Sequence, residues 1–293
     1  MPSRHSVLIT GASSGFGHLT ALALAERGHR VYASMRELTG RNAGASAQLL
    51  EQASQKGWDL HTVELDVTDD ASIAAAVERV LDLGDLDVVI NNAGATSSGL
   101  LESFTAEQVE SVLRLNALGA IRVNRAVLPH MRSRGDGLLV HVTSGSGRLI
   151  LPYFGPYTAA KFALEAIAET YRYELRPLGI DSVIVEPAAY ATELGNNALR
   201  ADDDAHVDAY GETGTRLRSV LTALSGTPES VGGPGPQEVV DAIVTLVETE
   251  QGRRPLRTAV GATVEPLLNR INQAAADTQR DALTLMGLAD LTA

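Results

Sequence analysis

Short apolar runs recur along the first two-thirds of the chain and alternate with stretches of helical period. Residues 6–10, 30–34, 60–65, 86–90, 138–143 and 181–186 read as strands, and most are apolar at successive positions rather than at every second one. That pattern belongs to strands covered on both faces, as in a parallel sheet between helices. Residues 17–27, 71–83 and 106–134 carry the helical pattern. In 71–83, Ile73, Ala76, Val77 and Val80 fall on one face; Asp69 or Asp70 supplies the cap and Gly84 the stop. Strand and helix alternating in this rhythm predict an α/β, doubly wound, mostly parallel sheet.

The rhythm weakens after Pro187. Residues 195–236 are polar and Gly- and Pro-containing, include Asp202-Asp203-Asp204, and close on Pro234 and Pro236, which reads as a long loop or a lid over a site. Helical spacing returns at 236–250 through Val239, Ile243 and Val247; 256–260 reads as a last, seventh strand and 262–293 as a terminal helical extension. No repeat or low-complexity block interrupts the chain. At 293 residues it exceeds the common domain size of about 150, but α/β folds often pass about 200 as one unit, so 1–293 is expected to form one domain.

Composition narrows the function. Hydrophobic residues make up 44% and charged residues 20%, enough for a sizeable core. No apolar run approaches the roughly 18 residues of a membrane span, and the N-terminus lacks the pattern of a secretory signal. The absence of cysteine excludes disulfides, thiolate catalysis and Cys-based metal sites, and fits a cytoplasmic protein. A net charge of −12 without a concentrated basic patch argues against nucleic acid; Arg253-Arg254 is the densest basic spot.

Five groups of residues carry candidate chemistry. Thr10-Gly11-Ala12-Ser13-Ser14-Gly15-Phe16-Gly17 joins the first strand to the first helix. Glycines there permit a tight turn and close approach to a phosphate, and the helix N-terminus offers free N–H groups; a plain turn is the alternative. Arg36 follows the second strand where an NAD site would place a carboxylate, and a guanidinium suits a 2′-phosphate. That favours NADP(H), with NAD(H) as the other cofactor the site would take if Arg36 is only a surface cation and Glu37 faces the ribose. Asn91-Asn92-Ala93-Gly94 ends the fourth strand, at the sheet edge where ligands bind. Tyr157 and Lys161 are four residues apart and share a helix face, where the cation would lower the phenol's pKa and make it an acid or base. Ser144, just past the fifth strand, would hold a substrate oxygen, with Ser146 as competitor. Asn116, polar among leucines, is either a core hydrogen-bonder or part of the site.

Together these residues resemble the short-chain dehydrogenase/reductase family over about residues 5–260. Gly11, Gly15 and Gly17 look like its cofactor turn, Asn91–Gly94 like its sheet motif, and Asn116, Ser144, Tyr157 and Lys161 like its catalytic tetrad. The three-residue gap between Gly11 and Gly15 resembles the compact oxidoreductase branch. The string 31–36, residues 157–163 and the extended C-terminus look most like the group of 17β-hydroxysteroid and retinol dehydrogenases.

The resemblance implies a seven-stranded Rossmann-type fold and an NADP(H)-dependent oxidoreductase interconverting an alcohol and a carbonyl. Tyr157 would be the acid/base, Lys161 would tune it and hold the nicotinamide ribose, Ser144 would bind the substrate oxygen, and Asn116 would keep a helix kink and a relay water. Ser13, Ser14, Phe16, Asp66, Val67, Asn92, Ala93, Gly94, Pro187 and Thr192 would line the cofactor. Ala188 stands where the family usually has Gly, so its methyl is expected to narrow the nicotinamide pocket or shift 189–192. Leu149, Leu151, Tyr153 and Phe154 either wall an apolar substrate pocket or pack beneath the loop. A homodimer or homotetramer is expected through the helices of Asn116 and Tyr157, where Ala159, Ala160, Ala163 and Ala166 permit close contact. No metal is expected. The alternatives are a non-catalytic NADP-binding regulator, and a lyase or epimerase using transient oxidation.

Overall fold

A computed structural model describes residues 4–190, 198–201, 203–224 and 235–292. Seven strands form one all-parallel sheet: β1 (Ser6–Ile9), β2 (Arg30–Met35), β3 (Leu60–Glu64), β4 (Val88–Asn91), β6 (Gly137–Val142), β7 (Ile180–Pro187) and β9 (Arg257–Val260). Their order is β3-β2-β1-β4-β6-β7-β9. A short pair, β5 (Ser97–Ser98) and β8 (Leu199–Arg200), lies apart. Every residue of β1, β4, β6 and β7 is buried, as consecutive apolar residues at their centres predict, and the burial extends to the polar His141, Asp181, Ser182 and Glu186.

Helices cover both faces. On one, α1 (Gly15–Glu26), α2 (Ala43–Lys56) and α9 (Gln237–Glu248) join the core cluster of Val7, Ile9, Val88, Val140 and Val185. On the other, α3 (Asp70–Asp82), α5 (Gly119–Arg134) and α6 (Gly155–Leu175) pack with Leu8, Val89 and Leu139. Helix α9 buries Val239, Val240, Ile243, Val244, Leu246 and Val247, and truncating Ile243 or Leu246 to Ala costs about 2–5 kcal/mol. For α3 the cap is Asp69, whose Oδ1 accepts from the Ala71 N–H at 2.9 Å.

The stretch 106–134 is not one regular helix as its periodicity suggests. It is α4 (Ala106–Leu113), a π turn (Arg114–Leu118) and α5. Asn116 causes the change locally: its Nδ2 donates to Val112 O at 3.0 Å, taking the carbonyl that a regular helix would give to the Asn116 N–H. Within 195–236 the described residues include α7 (Asp204–Ala209) and α8 (Glu212–Leu224); α10 (Glu265–Leu285) follows β9.

Strand order reverses between β1 and β4, because β2 and β3 lie to one side and β6, β7 and β9 to the other. Chain connections leave in opposite directions there and open a crevice at the carboxyl ends of the strands. The loops following β1, β4, β6 and β7 carry the candidate residues to that edge.

Candidate active site

The turn after β1 is held open by backbone geometry. Gly11 has φ +68°, and a Cβ on it would lie 2.8 Å from Ala93 Cα. A Cβ on Gly17 would lie 2.5 Å from both Gly11 O and Asn92 Nδ2. The glycines therefore let the β1 turn and the β4 turn touch. Thr10 Oγ1 accepts from the N–H groups of Asn92 and Ala93, each at 3.0 Å, and Asn92 Nδ2 donates to Thr10 O and Gly11 O. Ser14 caps α1 without a side-chain hydrogen bond, and the first turn contains no acidic residue. Ser13, Gly15 and Phe16 are half-buried beside it, and the Phe16 ring meets Tyr190 edge-on at 5.7 Å. A cradle that any Cβ would fill, ending on an uncapped helix N-terminus, fits a pyrophosphate.

Arg36 is exposed just past β2. The backbone after it turns sharply: Glu37 has φ +54°, and Glu64 accepts from the N–H groups of Glu37 (2.6 Å) and Leu38 (2.7 Å). Burial alone would raise the Asp66 carboxyl; hydrogen bonds from Thr68 and the charges of Arg36 and Arg114 outweigh it and hold the group below its usual range. Val67 is buried against Gly119. Glycine is also required at 94, where a Cβ would lie 2.6 Å from Asn116 Oδ1.

On the other side of the crevice the tetrad residues converge. Asn116 is buried, donates to Ala95 O at 3.0 Å and accepts from Ala95 N at 3.2 Å, which ties the π turn to the strand end beside Gly94. Ser144 Oγ accepts from the Ser146 N–H at 3.1 Å, so Ser146 serves the turn and Ser144 faces Tyr157, with which it hydrogen-bonds. The backbone N–H of Tyr157 donates to Ser97 Oγ at 3.0 Å, so the short β5 strand anchors the start of α6. Lys161 Nζ donates to Val142 O at 3.0 Å and lies 5.6 Å from the Tyr157 ring centre.

The electrostatics correct one expectation. The spacing of Tyr157 and Lys161 predicts a lowered phenol pKa, whereas in the protein burial raises it and the Ser144 bond opposes that rise. Lys161 is itself buried, and loss of solvation lowers it to about 8 against the opposing charge of Glu165. At neutral pH the pair is therefore a protonated phenol beside an ammonium, suited to giving up a proton.

Pro187 ends β7 and is buried. Thr192 lies outside the described residues. The Ala188 methyl does not simply project into the crevice: a Cβ on Gly261 would lie 2.6 Å from it, and Ala188 N donates to Val260 O at 2.8 Å. Gly261 (φ +119°) takes up the extra carbon at the β7–β9 junction. Tyr153, also at positive φ (73°), packs with Leu100, Val207 of α7 and Leu217 of α8. Leu149 and Phe154 are half-buried, while Leu151 is exposed. The roles of Thr10, Ser97 and Glu165 were not read from the sequence, although Thr10 opens the glycine-turn string and Glu165 stands one helical turn past Lys161. Among the described residues no group of His, Asp and Glu is arranged to hold a metal ion, and no helix is long and apolar enough to cross a membrane.

Residues 5–203 match the family model described as short chain dehydrogenase. The chain belongs to the short-chain dehydrogenase/reductase family of oxidoreductases. It is 33% identical to 3-ketodihydrosphingosine reductase of Bacteroides thetaiotaomicron, with 89% of each chain covered. It is 32% identical to retinol dehydrogenase 8 of Homo sapiens over 89% of this chain and 83% of that one. The solved short-chain dehydrogenase from Sphingobium yanoikuyae in complex with NADPH superposes with a TM-score of 0.71 at 29% identity, covering 96% of this chain and 95% of that one. Such relatives support a nicotinamide cofactor for this crevice, in agreement with the fit of the Gly11–Gly17 cradle.

Proposed function

We propose that the protein is an NADP(H)-dependent oxidoreductase that interconverts a ketone or aldehyde and its alcohol, with Tyr157 as acid and base. The observation that carries this reading is the convergence of Ser144, Tyr157 and Lys161 beside a glycine cradle shaped for a dinucleotide. Gly11, Ser13, Ser14, Gly15, Phe16 and Gly17 would hold the pyrophosphate, Asp66 and Val67 the adenine side, Arg36 the 2′-phosphate, and Asn92, Ala93, Gly94, Pro187 and Thr192 the nicotinamide end. When bound, the nicotinamide supplies or accepts the hydride.

The chain's own residues manage the oxygen and its proton. As a carbonyl is reduced, negative charge grows on its oxygen. Ser144 Oγ accepts from the Ser146 N–H, which orients the hydroxyl, and its one proton, shared with Tyr157 in the free protein, would turn to that oxygen when substrate binds. Tyr157, protonated at neutral pH, donates a second hydrogen bond and then its proton. The ammonium of Lys161, held on Val142 O, stabilises the phenolate left behind. Asn116 fixes the π turn and the position of Gly94.

The substrate is apolar or of medium size. Leu149, Leu151, Tyr153 and Phe154 lie between Ser144 and Tyr157, and α7 and α8 act as a cover through the contact of Val207 and Leu217 with Tyr153. One relative is named for reducing a keto compound and another for dehydrogenating an alcohol. Copies assemble as a homodimer or homotetramer through the helices of Asn116 and Tyr157. Leu118 of the π turn and Phe162 of α6 are exposed there, with Ala159 and Ala166, while Ala160 is spent on the core.

Fluorescence titration with NADPH and NADH side by side tests the cofactor assignment, followed by turnover on a ketone panel. NADPH should bind at least about tenfold more tightly, about 1.4 kcal/mol. Equal or tighter NADH binding would remove Arg36 from the site, and nucleotide binding without turnover would favour a regulatory module.

A further inference from the structure

The family model stops at residue 203, yet the turn that carries Ser144 is held from well beyond it. A Cβ on Gly145 would lie 3.3 Å from Val264 Cγ1 and 3.7 Å from Leu268 Cδ1, so the first turns of α10 press on the catalytic turn. Arg148, at the end of that turn, donates from Nε to Asn272 Oδ1 at 2.8 Å. Asn272 donates from Nδ2 to Glu186 Oε2 at 2.6 Å. One amide of α10 thus bridges a guanidinium of the Ser144 turn and a fully buried carboxylate of β7, adjacent to Pro187.

A second layer supports this bridge from α6 and β9. Glu165 accepts from Thr143 Oγ1 at 2.6 Å and from Arg257 Nε at 2.9 Å. A Cβ on Gly147 would lie 2.9 Å from Glu165 Cγ. Arg257 also reaches Glu169 at 2.5 Å and lies 3.5 Å from Glu186 Oε1. Three carboxylates therefore surround the Arg257 guanidinium, with the charge of Arg148 close enough to act on all three. Burial raises Glu186 to about 7, with the charge of Glu165 adding to the rise and the Asn272 bond, Arg257 and Arg148 opposing it. An apolar contact would suffice to dock α10. Charge-assisted bonds through a single amide additionally fix where Arg148, and with it the turn, must sit.

We infer that Asn272, Glu186 and Arg148 form a clamp through which the C-terminal helix positions the Ser144 turn for the reaction. They are positioning residues, because in the reading above the reacting oxygen is met by Ser144 and Tyr157 and the clamp reaches it only through the Ser144 turn. The inference rests on the hydride-transfer reading given above.

Two variants separate this role from simple packing. Asn272→Leu removes both bonds. Asn272→Asp keeps the acceptor for Arg148 but sets a carboxylate against Glu186, so the bridge closes only while the two carboxyls share a proton. NADPH affinity should stay within about twofold in both variants. Relative to wild type, N272L should lose about tenfold in kcat at every pH, the scale of one charge-assisted bond. N272D should be near wild type at about pH 6 and fall about tenfold by about pH 8.5 as the shared proton is lost. Parallel losses of the two variants at both pH values, or no loss in either, would overturn the clamp. If N272L does not fold, the pH dependence of N272D decides alone. If the wild type turns over no substrate, the functional reading fails and the clamp is judged by hydrogen–deuterium exchange. Faster exchange at 145–149 in N272L with β1 and β4 unchanged supports it; unchanged exchange at 145–149 overturns it.

Discussion

The β1–β4 side of the crevice works with backbone, and the β6–β7 side works with side chains. On the first, Gly11 and Gly17 let two turns touch, Thr10 and Asn92 stitch them, and the N-terminus of α1 is left without a side-chain cap. On the second, Tyr157, Lys161, Glu165 and Glu186 are buried ionisable groups whose pKa values burial displaces. A fixed backbone suits a ligand that is the same in every turnover. Buried titratable groups suit a step in which a proton moves. Substitutions should therefore separate binding from turnover according to the side they fall on.

The sharpest separation is expected at Tyr157. Tyr157→Phe should lower kcat by about two decades or more, the usual scale for a positioned acid. On the backbone side Gly11→Val should do the reverse. It forces a branched side chain onto φ +68° against Ala93, so nucleotide titration should show a loss of at least about tenfold in NADPH affinity. Turnover extrapolated to saturating cofactor should be less affected. Retained affinity in G11V would break the comparison on that side.

A pH profile sharpens the catalytic side. Lys161 is held at about 8, so its ammonium is present below that value and lost above it. The Tyr157 phenol lies above its ordinary value and stays protonated throughout. Carbonyl-reduction kcat/KM should be level at neutral pH and fall as pH rises through about 8. A profile that rises there would reverse the assignment of acid and cation. Arg36→Ser should weaken NADPH by about tenfold and leave NADH within about twofold, as for one exposed phosphate–guanidinium contact. The smallest effect is expected at the junction that accommodates Ala188. Gly261→Ala adds a carbon 2.6 Å from the Ala188 methyl at φ +119°, and thermal unfolding should show a loss of about 1–3 kcal/mol. The double variant with Ala188→Gly should recover part of it.

The two sides were also unequally legible in the sequence. Strands β1, β4, β6 and β7 announce themselves through consecutive apolar residues, Val7–Ile9, Val88–Ile90, Leu138–Val140 and Val183–Val185, because both faces are covered. The glycine turn and the Asn91–Gly94 turn are contiguous strings, so position along the chain already states their place at the sheet edge. The meeting of Asn116, Ser144, Tyr157 and Lys161 at one crevice was an expectation from spacing and family resemblance. The environment of those residues was not legible: the sign of the shift at Tyr157 depends on burial, which no spacing reports. The π turn was hidden because Asn116 keeps the apolar period of a continuous helix while redirecting one carbonyl. Helix α2 and the β5–β8 pair were missed because α2 has a weak apolar face and two-residue strands carry no period. The Glu186–Asn272–Arg148 bridge joins residues 38 to 124 apart, and only the folded chain brings them together.

The central claim is that one phenol carries the proton while the rest of the crevice holds the cofactor. Wild type and Tyr157→Phe should be measured side by side for NADPH affinity and for kcat on a ketone the wild type reduces. The account predicts affinities within about threefold of each other and a kcat lower by about a hundredfold or more. A variant that turns over within about threefold of wild type would contradict it, since the proton would then come from elsewhere.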